Sequence, residues 1–207
     1  EHIQGSRIVT VSGINPTKGL EYFIEMASNL AERYDDLSFL IAAGKFKSQQ
    51  KYYHYLEKLV DSSKLTHDCF QFLGMIDDVP AFLHNADIFV FSSVSESGPM
   101  AIWEAMSMGM PVVTTDVGSV SQYMKDGESG FIVPIKDSRA LSEKVAVLLK
   151  DPALRKKMGA EARRVAKDKL DVSIAAEKYS SFYRRTLSLA AEPKQVSIGT
   201  QITQQEN

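Results

Sequence analysis

Short apolar segments alternate along the chain with longer amphipathic ones. The apolar segments are rich in β-branched and aromatic residues, and several lack a polar face, which is typical of parallel strands covered on both sides. They are Arg7–Ser12, Leu37–Ala43, Cys69–Leu73, Ile88–Ser92, Val112–Thr115 and Gly130–Val133. The pattern predicts an α/β fold, in which right-handed crossovers build a parallel sheet of about six strands with helices on both faces.

Apolar residues recur every three or four positions between these segments, and this spacing predicts helices. The predicted helices are Lys18–Tyr34, Tyr52–Val60, Val79–His84, Pro99–Met108, Ser119–Lys125 and Ser138–Lys150. After Asp151-Pro152 only helices are predicted, namely Leu154–Lys169 and Val172–Leu189. We therefore expect one domain over residues 1–189 and a polar, disordered tail over 190–207.

Composition narrows the function classes. The 207 residues include 24 Lys and Arg against 26 Asp and Glu, a net charge of −2, which argues against a dedicated nucleic-acid binder. Four scattered histidines and one cysteine, Cys69, form no metal-ligand spacing or internal disulfide, so we expect no metal site. No apolar run approaches the roughly 20 residues of a membrane span. The start, Glu1-His2-Ile3-Gln4, resembles no signal peptide and lacks an initiator Met. We therefore expect a piece of a longer, cytoplasmic protein, and a processed chain is the alternative.

One segment departs from this charge balance. Residues 151–185 carry ten Lys or Arg and five Asp or Glu, a net charge of +5. The simpler interpretation is a solvated helix face. The alternative is attraction to an anionic partner or a membrane surface.

The loop after the first predicted strand could bind a phosphate. It runs from Gly13 to Gly19 and places Lys18 at the start of a helix, where the helix dipole and the ammonium both favour negative charge. Neither a Walker loop nor the G-x-G-x-x-G of a dehydrogenase is present. A turn with a solvated lysine is the alternative.

The loop after the fourth predicted strand offers a second anion site. Pro99 fits the first helical position and Gly98 the cap, which leaves the amides of Met100 and Ala101 without partners inside the helix. Two free N–H groups at a helix start attract an anion without a charged side chain. The stretch Thr115–Ser121 adds another glycine and another helix start at the same sheet edge.

Two acids flank this helix start. Glu96 lies in the loop before it, and Glu104 lies four residues after Met100. Acids beside an anion site are suited to accept hydrogen bonds from hydroxyls, and a ribose or hexose supplies such hydroxyls. The alternatives are a capping acid for Glu96 and a surface helix residue for Glu104.

The spacing Glu96-x7-Glu104 resembles the nucleotide-sugar signature of the GT4 family of retaining glycosyltransferases. Four further segments resemble that family in the same order: Asn15–Gly19, Phe72–Gly74, Ala86–Ser92 and Asp126–Val133. The similarity covers about residues 7–150. It implies a Rossmann-like domain, the C-terminal, donor-binding half of a GT-B enzyme, whose N-terminal acceptor-binding domain is absent from this chain.

The resemblance also implies roles for individual residues. Lys18 would pair with the diphosphate of a nucleotide-sugar donor, and Glu96 would contact the donor sugar at the reacting carbon. Glu104 would accept the ribose hydroxyls. The remaining positions, which would contact the donor mainly through the backbone, are Gly13, Gly74, Met75, Gly98, Pro99, Met100 and Ala101. Such enzymes need no bound metal or other cofactor, because a lysine and helix amides stabilise the departing diphosphate.

The chain departs from the family pattern at three places: it has Ser12-Gly13 in place of Gly-Arg, Ser97-Gly98-Pro99 in place of Gly-Phe-Gly, and Ser121-Gln122 in place of Pro-Glu. The first departure removes a cation from the diphosphate site. Three hypotheses follow: a hexosyltransferase donor domain, a non-catalytic nucleotide-sugar-binding or partner-binding module, and a related GT-B enzyme such as a sugar-nucleotide epimerase. The ordered set of motifs favours the first, with possible peripheral membrane contact in the full enzyme.

Overall fold

The computed structural model describes residues 5–44 and 47–191 and contains one sheet of six parallel strands. The strands are β1 (Ser6–Gly13), β2 (Leu37–Gly44), β3 (Phe70–Gly74), β4 (Ile88–Phe91), β5 (Val112–Thr115) and β6 (Phe131–Val133). Each predicted strand is confirmed to within one residue at either end. The α/β fold class predicted from the apolar segments is therefore confirmed.

The order of the strands across the sheet is β3-β2-β1-β4-β5-β6. β1 pairs with β2 along its whole length and with β4 through Ile8 and Val9. The chain thus builds outward from β1 in one direction and then returns to build outward in the other. The carboxyl ends of β1 and β4 diverge at this reversal, and open α/β sheets bind their ligands in such a crevice.

Both faces of the sheet are buried, because successive strand residues point to opposite sides. Ile8 packs into one apolar cluster and Val9 into the other, and Ile88 and Phe89 divide in the same way. All four side chains are fully buried. Double burial explains why the strands read as continuous apolar runs.

Eight α-helices lie within the described residues. They are α1 (Leu20–Ala31), α2 (Gln50–Asp61), α3 (Val79–His84), α4 (Met100–Ser107), α5 (Val120–Tyr123), α6 (Ser138–Lys150), α7 (Pro152–Val165) and α8 (Val172–Ala191). The bounds predicted for α3 and α6 are confirmed. Bounds of the other helices need correction. The clearest cases are α1, which begins two residues after Lys18, and the helix predicted to reach Lys169, which ends at Val165 and is followed by a π-helical turn, Ala166–Leu170.

The chain divides into two compact units, residues 1–170 and residues 171–207. α8 lies in the second unit, and the domain over 1–189 stays a prediction. α8 continues to Ala191, and the remainder of the tail predicted over 190–207 lies outside the described residues. Within the described ranges, no helix has the length and apolar character required to cross a membrane.

Candidate functional site

The loop after β1 is shaped by a cap and a glycine. The Asn15 side chain accepts a hydrogen bond from the amide of Thr17 at 3.0 Å and caps a short 3₁₀ helix, Pro16–Lys18. Gly19 follows with φ +57°, where a Cβ would collide with the carbonyl oxygen of Ser92. The loop can therefore lie directly against the end of β4 only because residue 19 has no side chain.

Lys18 and Glu96, which are 78 residues apart, meet at this crevice. The Lys18 ammonium forms an ion pair with Oε1 of Glu96. Their side chains are 25% and 12% exposed, so the pair is only partly open to solvent. The ammonium also lies 5.9 Å from the centre of the Phe91 ring at the end of β4. The structure thus brings together the two residues predicted to be catalytic.

Hydroxyl groups at the ends of β4 and β5 hold the loops together. The buried Ser93 Oγ lies 2.6 Å from the Thr17 carbonyl oxygen and 3.2 Å from Glu96 Oε1. Thr115, also buried, donates its hydroxyl to the Ser93 carbonyl at 2.5 Å. The sequence analysis gave neither side chain a role, although Thr115 opens the third motif and two polar residues, Ser92 and Ser93, directly follow a buried strand.

The loop after β5 supports Glu96 from the other side. Gly118 has φ +57°, and a Cβ there would lie 2.7 Å from the Ser97 carbonyl oxygen and 3.0 Å from that of Glu96. The backbone of the Glu96 loop is therefore enclosed between the turns that follow β1 and β5. This contact explains the glycine in the third sequence motif.

The start of α4 differs from the prediction by one residue. Pro99 is the N-cap and Met100 the first helical residue, so Pro99 is not the first helical position and Gly98 is not the cap. The Met100 amide donates to the Gly98 carbonyl at 3.0 Å, which corrects the prediction that it is free. The Ala101 amide has no hydrogen-bond acceptor among the described residues. One of the two predicted amides is thus available to a ligand.

The other predicted positions lie around this crevice or at the same sheet edge, without direct contacts to the ion pair. Glu104 is exposed on α4, and its carboxylate forms no ion pair or hydrogen bond within residues 5–44 and 47–191. Gly74, with φ +76°, ends the outer strand β3, and the side chain of Met75 beyond it is 70% exposed. Gly13 ends β1, and its carbonyl accepts the Asn15 amide at 3.1 Å.

Among residues 5–44 and 47–191, no three His, Cys, Asp or Glu side chains are placed to hold one metal ion.

Known proteins resemble this chain in sequence. The profile of the family described as "Glycosyl transferases group 1" matches residues 4–165. The α-D-kanosaminyltransferase of Streptomyces kanamyceticus is 31% identical over 180 residues, which cover 86% of this chain and 45% of that protein. The chain spans half or less of the length of the curated relatives it matches.

Solved structures share the fold. The C-terminal domain of the glycosyl transferase group 1 family protein LpcC from Francisella tularensis is 26% identical with a TM-score of 0.74, and the match covers 82% of this chain and 88% of that one. HepE from Anabaena, solved in complex with UDP-glucose, is 21% identical with a TM-score of 0.80, and the match covers 86% of this chain and 48% of that one. The family match extends from before β1 to the end of α7 and includes every residue of the crevice. The chain belongs to the glycosyl transferases group 1 family.

Proposed function

We propose that this chain is the donor-binding half of a retaining GT4 glycosyltransferase, which transfers a hexosyl group from a nucleotide-diphosphate sugar to an acceptor. The observation that carries the proposal is the ion pair of Lys18 and Glu96 between the ends of β1 and β4. The loop that contains Glu96 continues into α4, where the amide of Ala101 is open. A cation, a helix start and a carboxylate match the diphosphate and the hydroxyls of such a donor.

Lys18 would stabilise the departing diphosphate. When the bond between the anomeric carbon and the diphosphate breaks, negative charge grows on the diphosphate oxygens, and preorganised donors lower the energy of that state. An ammonium carries three protons, so Lys18 can hold Glu96 with one and phosphate oxygens with the others. The Ala101 amide adds a neutral donor at the positive end of α4.

The remaining residues would bind the sugar and the nucleoside. Only Oε1 of Glu96 has partners among the described residues, which leaves Oε2 for hydroxyls of the donor sugar. Glu104, with its unpaired carboxylate, would accept the ribose hydroxyls. The backbone at Gly74 and Met75 would meet the base edge, and the backbone near Gly13, Gly98 and Pro99 would border the donor.

Transfer would require a second domain for the acceptor. The chain covers 45% of the kanosaminyltransferase, so room for such a domain exists in proteins of this kind. We propose that the apolar residues of α8, which include Ile174, Tyr179, Phe182 and Tyr183, pack against that domain, and that this chain alone binds donor without transferring it. We further propose a cytoplasmic, metal-independent enzyme, whose cationic segment 151–185 could contact a membrane peripherally.

Replacing the lysine tests the central assignment. Lys18→Ala in the intact protein should lower kcat about 100- to 1000-fold, the usual cost of one donor to a developing anion. Lys125→Ala is the matched control, because Lys125 also pairs with a glutamate, Glu128, but on an exposed turn. Retained turnover in Lys18→Ala would remove the phosphate assignment.

Treatment with EDTA tests the proposed independence from metal. Turnover that EDTA leaves unchanged would support it, and a loss of turnover that Mg²⁺ restores would contradict it.

The second candidate is a non-catalytic module that binds a nucleotide sugar or a partner. The pair Ser12-Gly13 favours it, because Gly13 stands where the GT4 pattern has an arginine and brings no positive charge to the diphosphate site. Assays of the intact protein for sugar transfer and for donor hydrolysis separate the two candidates. Donor binding with neither activity, across UDP-, GDP- and ADP-sugars, would favour the module.

A further inference from the structure

We propose that Ser93 is a positioning residue, whose hydroxyl holds Glu96 in place when a donor occupies Lys18. The inference rests on the proposed function, since it concerns how the same site responds to its ligand. Ser93 is fully buried at the end of β4 and belongs to none of the residues implied by the GT4 resemblance. Its position between the two loops of the crevice is what suggests the role.

The hydroxyl of Ser93 has more acceptors around it than protons to give. Its Oγ lies 2.6 Å from the Thr17 carbonyl, 3.2 Å from Glu96 Oε1 and 3.3 Å from the Ser95 carbonyl. A hydroxyl donates one hydrogen bond, so only one of these three oxygens can receive it at a time. The shortest distance indicates that the Thr17 carbonyl receives it in the absence of donor.

Glu96 does not need that proton while Lys18 is paired with it. A diphosphate bound by the other protons of Lys18 would draw the ammonium toward itself, and the contact between Lys18 and Oε1 of Glu96 would weaken. The carboxylate of Glu96, whose side chain is 12% exposed, becomes a stronger acceptor when its counter-ion is drawn away, because water cannot fully replace the lost interaction. The nearest remaining donor is the Ser93 hydroxyl.

The exchange needs no movement of heavy atoms. Rotation about the Cβ–Oγ bond of Ser93 redirects the proton from Thr17 to Glu96. The Thr17 carbonyl keeps a hydrogen bond from the Val94 amide at 2.8 Å, so it is not left unsatisfied. The Thr115 hydroxyl fixes the Ser93 backbone throughout. Ser93 would thus retain Oε1 and keep Oε2 directed toward the sugar.

A matched pair of variants tests this role. Ser92 and Ser93 are adjacent and buried, and both hydroxyls face carbonyls of the loop after β1, but only Ser93 reaches Glu96. In the intact protein, Ser93→Ala should lower kcat about 10- to 100-fold, the value of a hydrogen bond to a charged group. Ser92→Ala should remain close to wild type. The affinity for the free nucleoside diphosphate should also fall in Ser93→Ala, because the hydroxyl turns to Glu96 only when a diphosphate occupies Lys18, and it should not change in Ser92→Ala.

A double-mutant cycle separates positioning from general stability. If Ser93 acts through Glu96, Ser93→Ala should have no further effect on kcat in a Glu96→Ala background. Independent, multiplying losses would overturn the proposal. Ser93→Cys keeps the shape of the side chain but replaces the hydroxyl with a weak donor, so this variant should melt like wild type and still turn over slowly. Wild-type turnover of Ser93→Cys would contradict the proposal. This variant keeps the test informative if Ser93→Ala fails to fold.

Failure of the proposed function and failure of the role of Ser93 would give different results. The probes are UDP-glucose, GDP-mannose and ADP-glucose, with UDP, GDP and ADP as the corresponding free diphosphates. A wild-type protein that neither binds nor uses any of them would overturn the proposed function and the role of Ser93 with it. A wild-type protein that transfers sugar, while Ser93→Ala behaves like Ser92→Ala, would overturn the role of Ser93 alone.

Discussion

The chemistry of the crevice depends on two side chains that are far apart in sequence. Lys18 follows the capped 3₁₀ helix after β1, and Glu96 lies in the loop after β4. Two glycines let the backbone place both side chains: Gly19 lets the first loop approach β4, and Gly118 lets the turn after β5 enclose the loop of Glu96. The backbone of the two loops therefore positions both members of the ion pair, which is not a chance contact between two flexible surface side chains.

Glu104 gives a test of the ribose assignment. Its carboxylate is exposed and unpaired in the described part of the chain, so its loss should cost no structural interaction. Glu104→Ala should raise the donor KM about tenfold or more and change kcat little, because hydroxyl contacts with a ribose persist from ground state to transition state. The measurement is steady-state kinetics with varied donor. A fall in kcat at unchanged KM would contradict the assignment.

In this chain, sequence patterns predict where each helix and strand lies more accurately than they predict its first residue. Strands buried on both faces appear as uninterrupted apolar runs, so β5 could be bounded correctly from Val112 to Thr115. Helix starts depend on caps and local geometry, and several differ from the prediction. For example, α1 begins only after Gly19 turns the chain, and α4 begins after Pro99.

The candidate site could be predicted only in part. Motif spacing predicted Lys18 and Glu96 as site residues. Hydrophobic periodicity does not predict which loop side chains make contact when 78 residues separate them. Ser93 and Thr115 read as ordinary strand-end polar residues in the sequence, and only the parallel register of β4 and β5 brings their groups together. The prediction of a free amide at Met100 was wrong, because this amide donates a hydrogen bond to the Gly98 carbonyl.

The packing of α2 on α1 includes a partly buried polar contact. The Tyr52 hydroxyl donates to the Glu21 carboxylate, and burial together with this hydrogen bond raises the pKa of Tyr52, which keeps the phenol protonated. Tyr52→Phe should lower the free energy of unfolding by about 1–2 kcal/mol, measured by urea denaturation. Tyr55→Phe is the control, because Tyr55 is half exposed and its hydroxyl has no described partner. Equal stability of the two variants would contradict this account.

The molecule as a whole places its chemistry in the first of its two units. Every residue assigned to the donor site precedes residue 171, where the second unit begins. The sheet order puts the crevice at the reversal between β1 and β4, and the family match covers the same region. Donor binding should therefore be a property of the first unit.

Deletion of residues 172–207 tests this division. The nucleoside diphosphate affinity should change by less than about twofold, because α8 contributes no residue to the proposed donor site. Isothermal titration calorimetry with the intact and shortened proteins measures the difference. A large loss of affinity would show that the second unit takes part in donor binding.

The most direct measurement is a crystal structure of the protein with a bound sugar nucleotide, chosen from UDP-glucose, GDP-mannose and ADP-glucose by affinity. The account predicts the diphosphate between the Lys18 ammonium and the Ala101 amide, with the sugar against Glu96 and the ribose against Glu104. Density for the diphosphate at any other edge of the sheet, or a donor bound without contact to Lys18, would contradict it.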